Sequence, residues 1–260
     1  SASGARAGTE LARDRARACG KGLYTADMAT ELYLERGPEG PWMAHAPSLP
    51  GACWLDLDET ACLKRAADEM GRHAARLGRA PPAGPYVVAG RVLNTTGVVG
   101  ESGSPMARFS CDASPPGIAA VWPAVERLAR LIVETARGVP AGLRATRPRE
   151  GGRSLDEVFV HLGNCVWWYC SRIDEGLSEW PDAWLAPEDR FLAFLPLSRN
   201  FYGNYPEERK GLVHVPARYP TSDRAEDWNY GKSLRRQAEH LAEHLSYLEL
   251  DLDGYLGARI

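Results

Sequence analysis

The sequence predicts an α+β protein, in which a small β-β-β-α-β domain precedes an all-α four-helix bundle. Two observations lead to this prediction. Short β-rich segments surround a single helical segment before about residue 112, and long amphipathic segments follow it. The 260 residues are enough for two domains that each bury a core. We therefore divide the chain into a tail over 1–22, an α+β domain over 23–111 and a bundle over 112–260.

The α+β domain begins with a predicted hairpin. Residues 27–36 and 41–46 have strand character, and the Gly-Pro-Glu-Gly sequence between them is typical of a turn. A third strand is predicted over 52–57. Asp58 then caps a helix, because apolar residues recur after it every three or four positions. Residues 86–93 are predicted to form the fourth strand.

Amphipathic periodicity in the second half of the chain predicts four helices, over 117–138, 154–174, 187–202 and 231–253. The second begins with Ser154-Leu-Asp-Glu157, a capping-box pattern in which the hydroxyl and the carboxylate satisfy free backbone amides. The third is the weakest prediction, because Pro196 interrupts its pattern. Four helices of this length usually bury their apolar faces as a bundle.

Composition excludes several classes of protein. Thirty-one basic and 34 acidic side chains give a net charge of −3, so we expect no nucleic-acid partner. No apolar run approaches the ~20 residues of a membrane span, and the first residues lack a hydrophobic signal core. We therefore expect no membrane partner. Six cysteines are too few for a disulfide scaffold, and reduced thiols are typical of a cytoplasmic protein.

Three histidines indicate a metal site. His240 and His244 lie four positions apart on the last predicted helix, so both can reach one cation. His161, among apolar residues of the second helix, is the best third ligand. Taken alone, His161 is more commonly a hydrogen-bonded core residue, and the pair equally fits a solvated face. Together, three histidines on two helices of one bundle favour a divalent metal.

Further residues near these histidines have candidate roles. Cys165, one turn after His161, could be a fourth ligand, although a small buried thiol is the more common role. Asn164 and Tyr169 are candidates to orient a substrate, with packing or surface exposure as the alternative. Glu243 is a candidate catalytic residue beside the ligands, unless it simply faces solvent.

The segment His240-Leu-Ala-Glu243-His244 also fits H-x-x-E-H, the signature of inverted zinc peptidases, in which the glutamate is a general base. We consider this interpretation weaker, because that class needs a larger chain and a downstream acidic ligand. Lys232, Arg235 and Arg236 precede the motif. They could bind the polar tail of a thiol, and they equally fit a solvated helix face.

Residues 112–260 resemble the DinB/YfiT-like superfamily of four-helix metalloproteins. The resemblance rests on SLDEVFVHLGNCVWWYCSRI and WNYGKSLRRQAEHLAEHLSYL, and it places the family's ligands at His161, His240 and His244. It implies a divalent metal, zinc first and nickel or iron as alternatives, with positions open to water or substrate. Members include thiol-dependent S-transferases and isomerases, and others are presumed hydrolases. A low-molecular-weight thiol cosubstrate is therefore one expectation.

Residues 27–110 resemble the HicB-type antitoxin-like domain. The resemblance rests on LERGPEGPWMAHAPSLPGACWLDLDETACLKRAADEM, although Leu57 stands where the family usually has a glycine. It implies the fold rather than antitoxin activity, because no DNA-binding segment follows. Such a domain could gate the site, bind substrate or form the interface of a homodimer.

Two functions follow from these observations. The first is a metal-dependent enzyme in which three histidines activate water or a thiol against a small organic substrate, as a hydrolase or a thiol S-transferase or isomerase. The second is a non-catalytic binding or regulatory protein with a HicB-like interaction module and a structural metal. Three-ligand sites are typically open and catalytic, whereas structural zinc is closed by four ligands. We therefore expect the enzyme.

Overall fold

The computed structural model describes residues 29–37, 40–82, 84–93, 115–180, 185–217 and 227–257. Over these residues the chain is α+β: a four-stranded sheet with one helix precedes four further helices. This confirms the predicted order of elements. The predicted tail over 1–22 and the predicted boundary at 111–112 lie outside the described residues.

The sheet has the strand order β3-β2-β1-β4. Its strands are β1 (Thr30–Arg36), β2 (Trp42–His45), β3 (Cys53–Asp56) and β4 (Tyr86–Leu93). Strand β1 pairs antiparallel with β2 and parallel with β4, and β2 pairs antiparallel with β3. A parallel pair needs a crossover connection, and helix α1 (Glu59–Arg76) lies in the segment that provides it. The side chain of Asp58 caps α1, as predicted, by accepting a hydrogen bond from the Ala61 amide.

The two faces of the sheet have different neighbours because side chains alternate along each strand. One face forms a hydrophobic core with α1, in which Leu32 and Leu34 of the sheet are clustered with Ala66 and Met70 of the helix. The side chains of Glu35 and His45 belong to the other face, and they are also buried. That second face contacts the last helix of the chain.

The second half of the chain forms four helices around one hydrophobic core: α2 (Pro115–Ala136), α3 (Leu155–Ser171), α4 (Pro187–Gly203) and α5 (Tyr230–Gly257). The predicted capping box of α3 is present, with reciprocal hydrogen bonds between Ser154 and Glu157. Pro196 lies inside α4 but does not end the helix, which continues to Gly203. Among the described residues, no helix is both long and apolar enough to cross a membrane.

Helix α5 is buried on all sides along its first turns. Every residue from 230 to 242 is buried, because the sheet covers one side of the helix and the helical core covers the other. The expectation that Lys232, Arg235 and Arg236 form a solvated face or a cationic cleft is therefore wrong. The Lys232 ammonium lies 4.0 Å from the centre of the Trp228 ring, and both arginines form ion pairs with Glu239.

Candidate metal centre

Helices α3 and α5 bring three imidazole rings together. His161 projects from α3, and His240 and His244 lie one turn apart on α5. The centres of the His161 and His240 rings are 5.0 Å apart, and that of His244 lies 4.8 Å and 4.6 Å from them, respectively. The Nε2 atoms of His161 and His240 are separated by 3.2 Å. We refer to these three residues as the histidine cluster.

The nitrogens of His161 and His240 have the spacing of two ligands of one divalent cation, whereas His244 is placed beside them by its ring centre alone. Two imidazole nitrogens that each bind one tetrahedral zinc ion at ~2.0–2.1 Å lie about 3.3 Å apart, close to the separation of 3.2 Å between the Nε2 atoms of His161 and His240. Among the described residues, the three ligand atoms that lie within 4.8 Å of one another belong to His161, Cys165 and His240, and His244 is not part of this group.

Cys165 is close to the cluster, but its sulfur does not lie in front of Nε2, the His161 atom that approaches His240. The Sγ atom lies 3.7 Å from both Nδ1 and Nε2 of that ring. Equal distances put the sulfur beside the ring, whereas an atom bound to the same cation as Nε2 would lie much farther from Nδ1. Ligation by Cys165 would therefore require rotation of its side chain.

The surroundings keep all three imidazoles neutral near pH 7. Burial, with a further effect from the charges of His244 and Arg153, lowers the pKa of His161 to about 4. Burial and the charges of Arg153 and Arg236 lower the pKa of His244 to about 4. Burial also lowers the pKa of His240 well below its usual value. Only a neutral imidazole can donate a lone pair to a metal, so the cluster is in its ligating form.

The two residues predicted to orient a substrate occupy different environments. Tyr169 is buried, and its ring meets that of His240 edge-on at 5.7 Å between centres. Asn164 is exposed and lines a cavity together with His161. Asn164 can therefore reach a ligand in that cavity, whereas Tyr169 packs against a metal-ligand candidate from within the core.

Glu243 is directed towards the sheet. Its carboxylate accepts a hydrogen bond from the Arg236 guanidinium at 2.9 Å and another from the Cys53 thiol at 3.6 Å. These contacts occupy the side chain at the interface between α5 and β3. The predicted catalytic role of Glu243 beside the ligands receives no support from its contacts, and neither does the alternative that it faces solvent.

Two cavities border the cluster, on either side of the segment that precedes α3. The first, of about 200 Å³, is lined by His244 and Tyr247, among others. The second, of about 570 Å³, is lined by His161 and Asn164. Gly151, Gly152 and Arg153 line both. Small molecules can therefore approach the histidine cluster from the side of the molecule that carries Gly151, Gly152 and Arg153.

A buried charge network, for which the sequence gives no prediction, joins the sheet to α5 next to the cluster. The imidazole Nδ1 of His45 lies 3.0 Å from the Glu239 carboxylate, and Nε2 lies 3.3 Å from that of Glu35. The guanidinium groups of Arg235 and Arg236 contact the same Glu239 carboxylate. We define the interface network as the residues Glu35, His45, Arg235, Arg236, Glu239 and Glu243.

Protonation of His45 would balance the charges of the interface network. Three carboxylates face two guanidiniums, and an imidazolium would bring the sum of charges to zero, but the Arg235 guanidinium lies 2.9 Å from His45 Nδ1 and opposes that protonation. Burial alone would lower the pKa of His45, but the charge of Glu239 and hydrogen bonds to Glu239 and Glu35 outweigh burial and raise it. Burial alone would likewise raise the pKa of Glu239, but the charges of Arg235 and His45 hold it well below its usual range.

Arg153 and the interface network were not predicted from the sequence, and their sequence signals are weak. Arg153 follows two glycines directly before the capping box of the histidine-bearing helix, and such a basic loop beside a ligand helix can be noticed from the sequence. His45 shows no pattern of that kind, because its partner Glu239 lies 194 residues further along the chain, and Glu35 joins the network through His45.

Comparison with known proteins adds no assignment: no family model matches the chain, and no curated protein or solved structure is significantly similar to it.

Proposed function

We propose that this chain is a metal-dependent enzyme in which His161, His240 and His244 hold a divalent cation, most simply zinc, with nickel or iron as alternatives. The enzyme would activate water or a low-molecular-weight thiol against a small organic substrate, as a hydrolase or as a thiol S-transferase or isomerase. The single observation that carries the proposal is the convergence of three neutral imidazoles from two helices, with ring centres 4.6–5.0 Å apart, beside open cavities.

The residues of the chain have distinct parts in this proposal. The three imidazoles present lone pairs because burial keeps them unprotonated. Tyr169 packs against His240 and fixes its ring, and Asn164 is placed to hydrogen-bond a molecule in the larger cavity. When bound, the cation would supply Lewis acidity that makes a water or thiol acidic near neutral pH.

The resemblances noted in the sequence complete the proposal. We propose that the four helices are a DinB/YfiT-like bundle and that the sheet with α1 is a HicB-like domain. The element order and the placement of all three histidines support this proposal. In this chain the HicB-like domain would support the bundle, because the face of its sheet opposite α1 contacts α5. That helix carries two of the three proposed ligands.

Metal uptake by three purified proteins tests the proposal: the natural chain, H240A and H214A. His214 is the matched control, because its imidazole lies 3.3 Å from the Tyr205 hydroxyl and outside the cluster. We expect about one equivalent of zinc in the natural chain and in H214A, and at least a tenfold loss of affinity in H240A. Equal, near-zero zinc in all three folded proteins would reject the site.

The proximity of Cys165 to His161 favours a second candidate, a non-catalytic protein with a closed structural zinc site. C165S separates the two candidates in the same zinc titration. The enzyme requires affinity within a few fold of the natural chain, whereas a closed site that uses the thiolate would lose at least tenfold. Incubating the zinc-loaded chain with a thiol and an electrophile, and separately with ester substrates, then distinguishes transferase from hydrolase.

A further inference from the structure

Arg153 lies where it can act on the histidine cluster and on both cavities beside it. It lines the cavity that contains His244 and the cavity that contains His161. A charged group in such a position meets any molecule that approaches the cluster from either cavity.

The other charged groups of the larger cavity neutralise one another. Arg147 forms a bidentate pair with Glu157, and Arg144 pairs with Asp156. In the smaller cavity, Arg149 lies 3.4 Å from Asp251. The guanidinium of Arg153 has no ion-pair or hydrogen-bond partner within the part of the chain that the structure describes, and the residue is exposed. The cavities therefore present one uncompensated positive charge.

A guanidinium is well suited to oxyanions, because its planar fork of N–H donors matches a carboxylate or a phosphate with two parallel hydrogen bonds. The single positive charge of Arg153 balances the single charge of a carboxylate, and two hydrogen bonds fix the orientation of the bound group as well as its position. The cavity of about 570 Å³ lies within the range typical of small-molecule sites. A small organic acid fits both the charge and the volume.

We infer that Arg153 binds the carboxylate of an anionic substrate or cosubstrate and thereby directs its reacting group to the histidine cluster. This inference rests on the proposed function, since it names the ligand class of the same site. Arg153 is a specificity-determining residue in this arrangement, whereas His161, His240 and His244 hold the cation. Neutral molecules of the same shape should bind less tightly.

Two matched thiols test the inference by calorimetry on zinc-loaded protein at pH 7. The probes are 3-mercaptopropionate and its neutral isostere 3-mercaptopropionamide. We expect the natural chain to bind the carboxylate probe at least about tenfold more tightly, and R153Q to lose that preference while R153K retains part of it. R130Q removes an exposed arginine that lines neither cavity, and it should keep the full preference.

Zinc content, measured first, separates this inference from the proposed function. R153Q should hold as much zinc as the natural chain; loss of zinc would overturn the inference, because the residue would then act on the metal site itself. Equal binding of the two probes by the natural chain, or a preference that survives in R153Q, would also overturn it. If the natural chain takes up no zinc, the proposed function fails. The inference is then judged by the same comparison on metal-free protein, where equal binding of the probes overturns it.

Discussion

His161, His240 and His244 illustrate how burial prepares a side chain for ligation. An exposed histidine is partly protonated near pH 6, and the proton must leave before a metal can bind. Burial, together with nearby positive charges, lowers the pKa of His161 and of His244 to about 4. Folding supplies the free energy that keeps these rings neutral, so a metal ion that binds at neutral pH does not have to displace protons from them.

The same pKa shifts make the stability of the metal-free protein depend on pH. Between about pH 4 and 6.5, unfolded histidines take up protons that the folded cluster does not. The unfolded state then binds more protons, so the free energy of unfolding should rise with pH across this window. Urea unfolding of chelator-treated protein at several pH values measures the slope. The double variant H161Q/H244Q should show a smaller slope, and an identical slope would contradict the assignment.

Local sequence patterns predicted the elements well, because the forces that form them act over a few residues. The capping box at Ser154, the cap at Asp58 and the apolar periodicity of α1 all depend on neighbours within one or two turns. The spacing of His240 and His244 is likewise local. Helix α5 was the exception, since its buried charges follow from a strand far away in the sequence.

One turn between strands brings the sheet against α5. Gly51 follows Pro50 and has a φ of +89°, a left-handed conformation that residues with a Cβ atom adopt at a cost. A Cβ atom at this position would lie 3.1 Å from the carbonyl oxygen of Ala238 in α5 and equally close to the His73 ring. The Leu-Pro-Gly turn thus permits a close approach between backbones.

We therefore expect G51A to destabilise the protein by about 2 kcal/mol, through the left-handed φ and the crowding of α5 together. Urea unfolding followed by circular dichroism measures the change. G71A is the matched control: Gly71 lies in α1 with open space around it, so alanine there should be neutral or stabilise by up to about 1 kcal/mol. Unchanged stability of G51A would show that the turn does not lie against α5.

At the scale of the whole molecule, two units pack on each other: the sheet with α1, and the core of helices α2 to α5. They meet partly through charges. The interface network places two buried carboxylates, the partly exposed carboxylate of Glu243, two buried guanidiniums and one buried imidazole between the sheet and α5. No sequence pattern could reveal this arrangement, because each ion looks locally like an ordinary surface residue of a strand or a helix. Only the packing of the two units on each other removes these groups from water.

Removing one charge from the network should leave its partners buried and uncompensated. We expect E239Q to lower the free energy of unfolding by about 3 kcal/mol, because Arg235, Arg236 and His45 all lose their shared carboxylate. Glu249 provides the control, since it pairs with Arg76 at a partly exposed position, and E249Q should cost less than about 1 kcal/mol. Equal effects of the two substitutions in urea unfolding would show that the network does not hold the units together.

Along α5 the sequence Glu239-His240 is followed four residues later by Glu243-His244, so the two metal-ligand candidates on this helix each directly follow a member of the interface network. The ion pairs of the two carboxylates hold the backbone of α5 in place at the positions from which the two imidazoles project. Under the proposed function, a change in strand β2 or β3 that shifts this backbone would therefore alter the metal affinity without touching a ligand.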